Sequence, residues 1–424
     1  MRVLLLNQVF FPDVAATAQH AHDLARHLVA HGHDVVVIAS RSIYGQRGAA
    51  LPRRESVDGI EIHRVGRSLF GKAGIPTRLL DFALFYLAAT IKAFAVRRPD
   101  VVVCFTTPPL IALVGPLMRL LRGSKFVYWV MDLYPDVAVA GGLIKPTSVL
   151  TRLLERLNRF CLRTADRTVV LGRCMMQRVR DKGVDHGQIV HIGVWADHRE
   201  VNPLPRRRNP YRDEWDLGDR TVVMYCGNFG LANEMETMCE AAARLSDDDR
   251  VQFVFVGGGK RKLDVERFLR DRNVRGRVEP YQSRERLGAL LSCADVHVVT
   301  LKEAFEGLVV PCKLFGALAA GRPVIFVGPR GSEIGRVIQE SNAGYVVRPG
   351  DVDGMVRAVR ELAGHPGIRR RLGCNARQAL LERYDRALGC DAWQQLLEEV
   401  ASVEKGAPVP EPDPVAIGNR AQEG

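Results

Sequence analysis

The stretch EGLVVPCKLFGALAAGRPVI, residues 306–325, shows most directly how this chain folds. It reads as a loop, then a helix that opens at Pro311 and stops at Gly321, then a buried strand. Proline is favoured in the first turn of a helix, and glycine is favoured just past its end. The run PVIFVG (323–328) follows at once and is apolar on both faces. A helix that leads directly into such a strand is typical of a parallel α/β sheet.

Short apolar runs of the same kind recur along the chain, with helical stretches between them. Such runs, separated by helices, predict parallel sheets built from βαβ units. Two series of runs predict an α/β protein with two doubly wound, Rossmann-like domains. The first series covers 2–7, 34–39, 60–65, 100–105, 125–130, 167–172 and 188–193, and the second covers 221–226, 251–257, 277–281, 295–300, 323–328 and 343–348.

The two domains are separated by a segment without periodicity. Residues 202–220 are rich in proline and arginine. We therefore predict an N-terminal domain over 1–200 and a C-terminal domain over 201–390, with a cleft between their facing strand ends, where such folds bind ligands. The tail from Val403 is rich in proline and charge and is predicted to be disordered.

Composition limits the classes of function. The chain has 424 residues, 47% hydrophobic and 25% charged, as expected of a globular protein with more than one core. A net charge of +12 favours an anionic partner, which could be a phosphorylated ligand, an acidic membrane surface or nucleic acid. The nine cysteines include no C-x-x-C pair, which argues for reduced thiols in the cytoplasm and against a zinc site. The N-terminus lacks the pattern of a signal peptide and is predicted to be the first strand.

A long apolar segment, RLLDFALFYLAATIKAFAVRRPD (78–100), leaves three interpretations open. It is nearly long enough to span a membrane, but Asp81 and Lys92 interrupt it and a core strand follows. An amphipathic helix with arginines at its ends could instead lie on an anionic bilayer. A helix buried against the sheet is the third interpretation. The next helix, 108–125, has the same ambiguity, so the inner membrane surface is a candidate partner.

The opening stretch also carries a candidate anion site. Free N–H groups and the helix dipole favour an anion at the start of the predicted helix, and Lys313 adds a full charge there. A diphosphate would fit such a site, and the acceptor oxygens of Glu306 would suit a ligand rich in hydroxyl groups. An ordinary helix with a solvated lysine is the alternative.

Two glycine-rich loops follow strands of the same domain. YCGNFGLANE (225–234) places Gly227 and Gly230 after a strand, where the backbone can approach a ligand closely. VGGGKRK (256–262) does the same and adds Lys260. Each loop alone could be an ordinary turn. Together they predict a phosphate site at one sheet edge.

The first domain offers fewer polar candidates. Thr17 is predicted to cap a helix that carries three histidines (20, 27 and 31) on one side, which we interpret as a polar face and not as a metal site. Asp132 and Asp136 follow the fifth predicted strand. They are candidates for binding a sugar hydroxyl or orienting an acceptor, and loop capping is equally compatible with their position.

Several motifs together resemble a known family. FPDVAATAQ, WVMDLYPDVAVAGGL, YCGNFGLANE, the VGGG loop and EGLVVPCKLFGALAAGRPVI are similar to motifs of GT-B glycosyltransferases of family 4. The most similar branch builds bacterial O-antigen and exopolysaccharide (the fucosamine-transferase-like group). The resemblance implies transfer of a sugar from a nucleotide-sugar donor, UDP-linked, to a hydroxyl of a glycan or lipid-linked acceptor. It further implies retention of anomeric configuration, no metal or cofactor, and a helix at 391–402 that crosses back to the first domain.

The resemblance also assigns residues. The C-terminal domain would bind the donor, with Lys313 and the loop from Glu306 to Val310 at the diphosphate and sugar, and Tyr281 at the nucleobase. The other donor-binding residues would be Gly227, Asn228, Gly230, Lys260, Gly307, Leu308 and Val309. The acceptor would be bound by Asp13, Thr17, Asp132 and Asp136, and the catalytic residues would be Glu306, Lys313 and Asp132.

This sequence departs from the family pattern at two places. Many members carry two glutamates eight positions apart, and the second grips the ribose. Here Gly316 stands in the second place and Leu308 in the first. Asn228 lies where the family has an arginine of its phosphate pair. Ribose must therefore be bound by other residues, and the nucleotide preference is left open.

Two alternative functions remain. A nucleotide-sugar epimerase of similar fold would need a histidine or carboxylate constellation at the sugar, which the sequence does not show. A non-catalytic, membrane-associated scaffold would be compatible with the missing glutamate. Nucleic-acid binding is disfavoured, because the basic residues are spread out and no binding module is present. We expect a cytoplasmic protein that can lie on the inner face of the inner membrane.

Overall fold

The computed structural model describes residues 1–43, 50–66 and 75–402, which form two parallel-sheet α/β domains. The predicted disordered tail, 403–424, lies outside the described residues. Each domain has one sheet with helices on both sides, so the predicted α/β class with two doubly wound domains is confirmed.

The N-terminal domain is built on an eight-stranded sheet with the order β3-β4-β2-β1-β5-β6-β7-β8. All neighbouring strands are parallel except β3 and β4. Its elements are β1 (Arg2–Leu6), α1 (Ala16–Ala30), β2 (Asp34–Ser40), β3 (Arg54–Val57), β4 (Ile60–Val65), α2 (Ile75–Ala95), β5 (Val101–Cys104), α3 (Val114–Arg122), β6 (Lys125–Val130), α4 (Asp136–Ala140), α5 (Val149–Thr164), β7 (Arg167–Val170), α6 (Arg173–Asp181) and β8 (Ile189–His191).

The C-terminal domain has a fully parallel six-stranded sheet with the order β11-β10-β9-β12-β13-β14. Strands β10 and β11 are added on one side of β9, and β12 to β14 on the other, so the order in which strands are added reverses between β9 and β12. Doubly wound sheets bind ligands at such a point. The elements are α7 (Pro210–Glu214), β9 (Thr221–Cys226), α8 (Glu236–Arg244), β10 (Val251–Val256), α9 (Lys262–Asp271), β11 (Gly276–Glu279), α10 (Leu287–Cys293), β12 (Val296–Thr300), α11 (Lys313–Ala319), β13 (Val324–Val327), α12 (Glu333–Glu340), β14 (Gly344–Val347), α13 (Val352–Gly364), α14 (Pro366–Ala379) and α15 (Arg386–Ser402).

Every predicted strand is present, and one further strand is present that the sequence did not reveal. This strand, β3, has the sequence RESV and pairs antiparallel with β4 at the edge of the sheet. An edge strand is half solvated and needs no apolar run, so it lacks the signal by which the other strands were recognised.

The long apolar segment forms α2, which is buried on one side and exposed on the other. Phe85 and Ala89 are buried, whereas Leu87 and Ile91 are about three-fifths exposed at 62% and 61%. Within the described ranges, no helix has both the length and the apolar character needed to cross a membrane.

The last described helix, α15, packs against the N-terminal domain. The ring centroids of Trp393 and Trp129 are 4.2 Å apart, and Arg167 Nη2 lies 3.1 Å from Glu399 Oε1. The helix begins at Arg386, five residues before the start that the resemblance implied.

Two predictions for α1 are wrong. His27 Nε2 lies 2.9 Å from Gln394 Oε1, and His20 is buried with its ring 4.9 Å from that of Trp195. The histidines therefore do not form a solvated polar face. Thr17 does not cap the helix either, because the N-cap residue is Ala15 and Thr17 lies inside the first turn.

Candidate active site

The two predicted glycine loops lie against each other at the carboxyl ends of β9 and β10. The Gly227 amide donates a hydrogen bond of 2.9 Å to the Val256 carbonyl, and Phe229 donates one of 2.8 Å to Gly258. A side chain on Gly257 would overlap the carbonyl of Gly227, so the close approach of the loops requires glycine there. The loops form one continuous backbone surface at the edge of the sheet.

Lys313 lies directly against this surface. A Cβ on Gly227 would be 2.5 Å from Lys313 Cε, so the space that Gly227 leaves empty is filled by the lysine. The Nζ atom lies 5.3 Å from the ring centroid of Tyr225. Apart from that ring, Nζ has no hydrogen-bond or ion-pair partner among the described residues, and burial lowers the pKa of the amine. A poorly hydrated cation without a counter-ion favours an anionic ligand.

The helix that carries Lys313 differs from the prediction. Helix α11 begins at Lys313 itself with Cys312 as its N-cap, so Pro311 lies outside it. Residues 308 and 309 bond to the N-terminal domain, as described below, and the chain enters the helix only after them. The helix has seven residues, so the lysine charge outweighs the dipole of its short backbone. Its end at Gly321, which has φ +62°, agrees with the prediction.

Tyr281 and Asn228 border the same glycine loops. The Tyr281 ring lies over Gly258, its hydroxyl donates a 3.5 Å hydrogen bond to the Gly258 carbonyl, and the residue is 57% exposed. The carbonyl of Asn228 accepts hydrogen bonds from the Tyr225 hydroxyl at 2.7 Å and from Asn233 Nδ2 at 2.9 Å, which fixes the loop. An exposed aromatic ring beside this loop offers a stacking surface for a planar ligand group. Lys260, at the tip of the second glycine loop, is exposed. Gly230 lies in the first glycine loop.

The loop from Glu306 to Val310 connects the two domains. Leu133 donates a backbone hydrogen bond of 2.9 Å to Leu308, and Asp132 and Val309 form an isolated antiparallel bridge. Arg178 Nη2 donates a 3.1 Å hydrogen bond to the carbonyl of Glu306. Gly307 lies against α6, because a side chain there would approach the carbonyl of Cys174 to 3.0 Å. The position of this loop thus depends on both domains.

Asp132 has an unusual environment on the N-terminal side of the cleft. Its backbone N–H donates a 3.2 Å hydrogen bond to Thr106 Oγ1, but its carboxylate has no partner among the described residues. Burial raises the pKa of the Asp132 carboxyl to about 6. A half-buried carboxyl without a partner, facing a cleft, is a candidate for hydrogen bonding to a ligand.

The other predicted acceptor residues are engaged in the protein. Asp136 Oδ2 lies 2.8 Å from Lys182 Nζ, which also binds Glu155 at 2.7 Å. Asp13 Oδ1 accepts a 2.9 Å hydrogen bond from the Ala15 amide. Both carboxylates are therefore engaged within the protein, and the pairing of Asp136 agrees with the loop-capping role that the sequence left open for it.

Gly316 lies on α11, three residues after Lys313. A Cβ there would approach Leu291 Cδ1 to 3.0 Å and no other heavy atom within 4 Å. The helix face is therefore nearly open at the place where the family would carry a ribose-binding acid. The Glu306 carboxylate lies against Gly331, since its Oε1 is 3.2 Å from the position that a Cβ on Gly331 would take.

A contact between the domains that sequence reasoning missed lies on α6 and α12. The Arg173 amide donates a 2.8 Å hydrogen bond to Glu333 Oε2, and its guanidinium lies 3.1 Å from Glu333 and 2.6 Å from Glu340. Cys174 Sγ donates a 3.0 Å hydrogen bond to the Gly331 carbonyl. No local signal could reveal these pairs, because the partners are about 160 residues apart.

One side-chain cluster has the geometry of a cation site. The ligand atoms of Asp197, His198 and Asp385 lie within 4.8 Å of one another. Each is already paired: His198 Nδ1 lies 2.7 Å from Asp385 Oδ2, and Arg386 Nη2 lies 3.0 Å from Asp197 Oδ2. The cluster joins the segment after β8 to the start of α15, and its contacts explain it without an ion.

Comparison with known proteins identifies the class of protein to which this chain belongs. The chain matches the family described as "Glycosyl transferase 4-like domain" over residues 16–195 and the one described as "Glycosyl transferases group 1" over residues 220–365. It is 34% identical over 280 residues to the probable glycosyltransferase WbjE of Pseudomonas aeruginosa, covering 66% of this chain and 69% of that protein. It is 26% identical over 377 residues to the putative colanic acid biosynthesis glycosyl transferase WcaI of Escherichia coli K12, covering 85% and 92% of the two chains.

Solved structures agree on the fold. Sucrose-phosphate synthase from Thermosynechococcus elongatus superposes with a TM-score of 0.77 at 18% identity, covering 94% of this chain and 99% of that one. HepE from Anabaena in complex with UDP-glucose superposes with a TM-score of 0.70 at 13% identity. This match covers 94% of this chain and 99% of HepE. The two-domain architecture and these matches define a glycosyltransferase of the GT-B fold. Within that class the chain belongs to glycosyltransferase family 4, as its motifs implied.

Proposed function

We propose that this glycosyltransferase moves a sugar from a nucleoside-diphosphate sugar, UDP-linked, to a hydroxyl of a glycan or lipid-linked acceptor in cell-surface polysaccharide biosynthesis. The observation that carries the proposal is Lys313, a cation without a counter-ion that lies against the glycine loop at residue 227. A diphosphate supplies the missing negative charge and uses the free backbone surface beside it.

The residues suggest how the transfer proceeds. When the bond between the anomeric carbon and the diphosphate oxygen breaks, the diphosphate leaves with the electron pair and its negative charge grows. Lys313, fixed before the reaction, stabilises that charge, and such preorganised groups each contribute about 10²–10³ in rate. Lys260 at the loop tip adds a second positive charge.

The acceptor is proposed to enter from the N-terminal side. The Asp132 carboxylate would accept a hydrogen bond from a neighbouring hydroxyl of the acceptor, and this contact would orient the reacting hydroxyl toward the anomeric carbon. The hydroxyl would attack from the face that the diphosphate leaves, and its proton would pass to a diphosphate oxygen, so that the configuration is retained. This route requires neither a metal ion nor a covalent intermediate on the protein.

The donor and acceptor classes are supported by the relatives. HepE was solved with UDP-glucose bound, which supports a UDP-linked donor for this chain. WcaI is named for colanic acid biosynthesis, and a structural neighbour, WaaG, is described as involved in lipopolysaccharide biosynthesis. These names support a saccharide acceptor in cell-surface polysaccharide assembly.

A thermal-shift panel of UDP-, GDP-, ADP- and dTDP-sugars tests the proposal. A ligand present at about 100 times its Kd stabilises the native state by about 2.7 kcal/mol, which raises the melting temperature by a few degrees. We expect UDP-sugars to give the largest rise, and the same rise in EDTA. If no nucleotide sugar raises the melting temperature, the transferase proposal fails and a non-catalytic scaffold is favoured.

A further inference from the structure

A cavity of about 230 Å³ opens in the C-terminal domain, at the end of the sheet opposite the glycine loops. Arg220 directly precedes β9, and Gln252 and Arg277 are the second residues of β10 and β11, so the cavity lies at the amino ends of these strands. Since a strand rises about 3.3 Å per residue, β9 separates it from Gly227 by roughly 20 Å. The cavity is therefore separate from the proposed donor site. Its lining consists of Trp215, Asp216, Leu217, Arg220, Gln252 and Arg277.

Arg220 is a cation that is held by neutral groups. Its Nε donates a 3.0 Å hydrogen bond to the Leu217 carbonyl, and its Nη2 donates one to the Asp216 carbonyl. Its Nη1 has one longer contact, at 3.4 Å from Gln252 Oε1. These bonds fix the guanidinium, yet Arg220 forms no ion pair with any residue that the structure describes. A guanidinium carries more N–H groups than these three contacts use, so donors remain for a ligand.

Arg277 lines the same cavity from β11. Its Nε donates a 2.6 Å hydrogen bond to Glu279 Oε1, and its Nη1 donates one of 3.3 Å to the Trp215 carbonyl. Its Nη2 has no hydrogen-bond partner in the described part of the chain. The guanidinium carbon lies 5.5 Å from the centre of the Trp215 ring, and this cation–π contact further fixes the side chain. Two arginines that are held in place thus have unused donors at one cavity.

The unused groups of the cavity favour an oxyanion. The Gln252 amide does not offset the free donors, because its oxygen contacts Arg220 and its nitrogen donates a 3.0 Å hydrogen bond to the Phe253 carbonyl. Asp216 supplies the one carboxylate of the lining, on an exposed side chain. Pockets for organic ligands have about 300–1,000 Å³, so this cavity suits a group smaller than a nucleotide sugar. Phosphate has more acceptor oxygens than a carboxylate and pairs well with guanidinium groups.

We propose that this cavity binds a phosphate group, either as inorganic phosphate or as part of a small phosphate monoester, through Arg220 and Arg277. The phosphate oxygens accept hydrogen bonds from the unused N–H groups of both guanidiniums, and the phosphate supplies the negative charge that Arg220 lacks. The inference goes beyond the proposed function, because the donor diphosphate is assigned to Lys313 at the other end of the sheet.

Tryptophan fluorescence of the full chain can report on this cavity. Of the four tryptophans, Trp215 lines the cavity, whereas Trp195 and Trp393 have their ring centroids within 5.9 Å of that of Trp129 in the N-terminal domain. Titration with inorganic phosphate at constant ionic strength should change the emission in a saturable way, and Trp215→Phe should abolish the change. Glycerophosphate and acetate are titrated in parallel. Tighter binding of glycerophosphate would identify a monoester as the ligand, and acetate should bind at least tenfold more weakly than phosphate.

Substitutions in the lining should act in opposite directions. Arg220→Gln and Arg277→Gln should each lower phosphate affinity about tenfold or more, because each removes charge-assisted hydrogen bonds. Asp216→Asn should raise the affinity about threefold, since it removes a neighbouring negative charge. Asparagine tolerates the φ of +49° at this position. Arg250→Gln, at an exposed arginine just before β10 that is paired with Asp248, is the matched control and should bind phosphate like the wild type.

Lys313→Met separates this site from the donor site. The variant should keep the phosphate-induced change in emission, and Arg220→Gln should keep the thermal shift that a UDP-sugar induces. A change that Lys313→Met abolishes and Arg220→Gln retains would assign the phosphate to the donor site and overturn the proposal. The absence of any saturable change at millimolar phosphate, or equal affinity for acetate, would overturn it as well. So would an Asp216→Asn variant that binds as weakly as Arg220→Gln. If Arg220→Gln does not fold, Arg277→Gln decides by the same criteria.

Discussion

Gly227 and Lys313 fit together so closely that a methyl group on the glycine would lie 2.5 Å from Cε of the lysine. The glycine also has φ +140°, a conformation that residues with side chains rarely adopt. Gly227→Ala should therefore displace the lysine amine and lower donor affinity about tenfold or more, measured by titration of the donor.

Gly350→Ala is the control for that substitution. Gly350 has φ +83° with open space around it, so alanine there adds backbone strain alone. We expect a loss of about 1–3 kcal/mol in the free energy of unfolding and unchanged donor affinity. If both variants bind the donor like the wild type, the position of Lys313 is not critical for donor binding.

Lys313→Met should separate stability from activity. Methionine keeps the length of the side chain and removes a partly buried, unpaired charge, so the melting temperature without ligand should be unchanged or higher. The donor-induced thermal shift should disappear, and turnover should fall about 10²–10³-fold. Lys302→Met, at another half-buried lysine, should retain the donor shift. Unchanged turnover in Lys313→Met would exclude the lysine as the diphosphate-binding group.

Asp132 should make stability and activity depend on pH in opposite directions. Its pKa of about 6 in the folded protein exceeds the ordinary value of 3.8, so the folded state favours the protonated form. The stabilisation is complete below pH 3.8 and is lost as pH rises through 6, at a cost of up to about 3 kcal/mol. Asp132→Asn should therefore raise the melting temperature at pH 7.5 and have little effect at pH 4.

Turnover should follow the carboxylate of Asp132. We expect the rate of the wild type to rise with pH to a plateau above about 6, and Asp132→Asn to lower the plateau about tenfold to a hundredfold and flatten the profile. Asp181→Asn, at an exposed carboxyl on α6, should keep the wild-type profile. A wild-type profile in Asp132→Asn would remove this residue from acceptor orientation.

The contact between Arg173 and Glu333 can be measured with a double-mutant cycle. Arg173→Leu leaves the buried carboxylate of Glu333 with its backbone N–H partner only and should cost about 1–3 kcal/mol. Adding Glu333→Gln should recover part of this loss, since the unpaired charge is then gone. Breaking the exposed pair of Arg244 and Asp353 should change stability by less than about 1 kcal/mol. Additive effects of the two substitutions would mean that the pair does not couple the domains.

Gly316 allows a gain-of-function prediction. The helix face around it is nearly open, with Leu291 the one heavy-atom neighbour of an added Cβ, so Gly316→Glu should fold with a small adjustment. The new carboxylate should increase the preference for UDP over 2′,3′-dideoxy-UDP about tenfold, because it adds acceptors for ribose hydroxyls. Gly316→Ala is the control and should not change the preference. If the two variants give the same ratio of affinities, ribose does not lie next to this helix position.

The sheets of both domains could be predicted from sequence because each central strand is a local apolar run. The two glycine loops could be located for the same reason, since Gly227 and Gly258 follow β9 and β10 within a few residues, whereas Lys313 lies 13 residues after the end of β12. The edge strand β3 and the start of α11 were not predictable. The first has no apolar run, and the second depends on contacts of Leu308 and Val309 with the other domain.

The acceptor side was harder to predict because its environment comes from distant parts of the chain. Three of the four predicted acceptor residues are aspartates, and Asp132 is the one of these three whose carboxyl has no partner among the described residues. Asp136 is paired with Lys182, 46 residues away, and His27 of α1 lies against Gln394 of α15, 367 residues away. A short sequence motif does not reveal burial or pairing with residues so far away in the chain.

The return of α15 to the first domain affects how such enzymes can be recombined. Trp393 and Trp129 belong to one packed core although 264 residues separate them in the chain. A hybrid that exchanges everything after residue 200 would also exchange part of the N-terminal core. To change the donor half without exposing Trp129, an engineer should replace a window that ends before Arg386 and keep the native 386–402 with the N-terminal half.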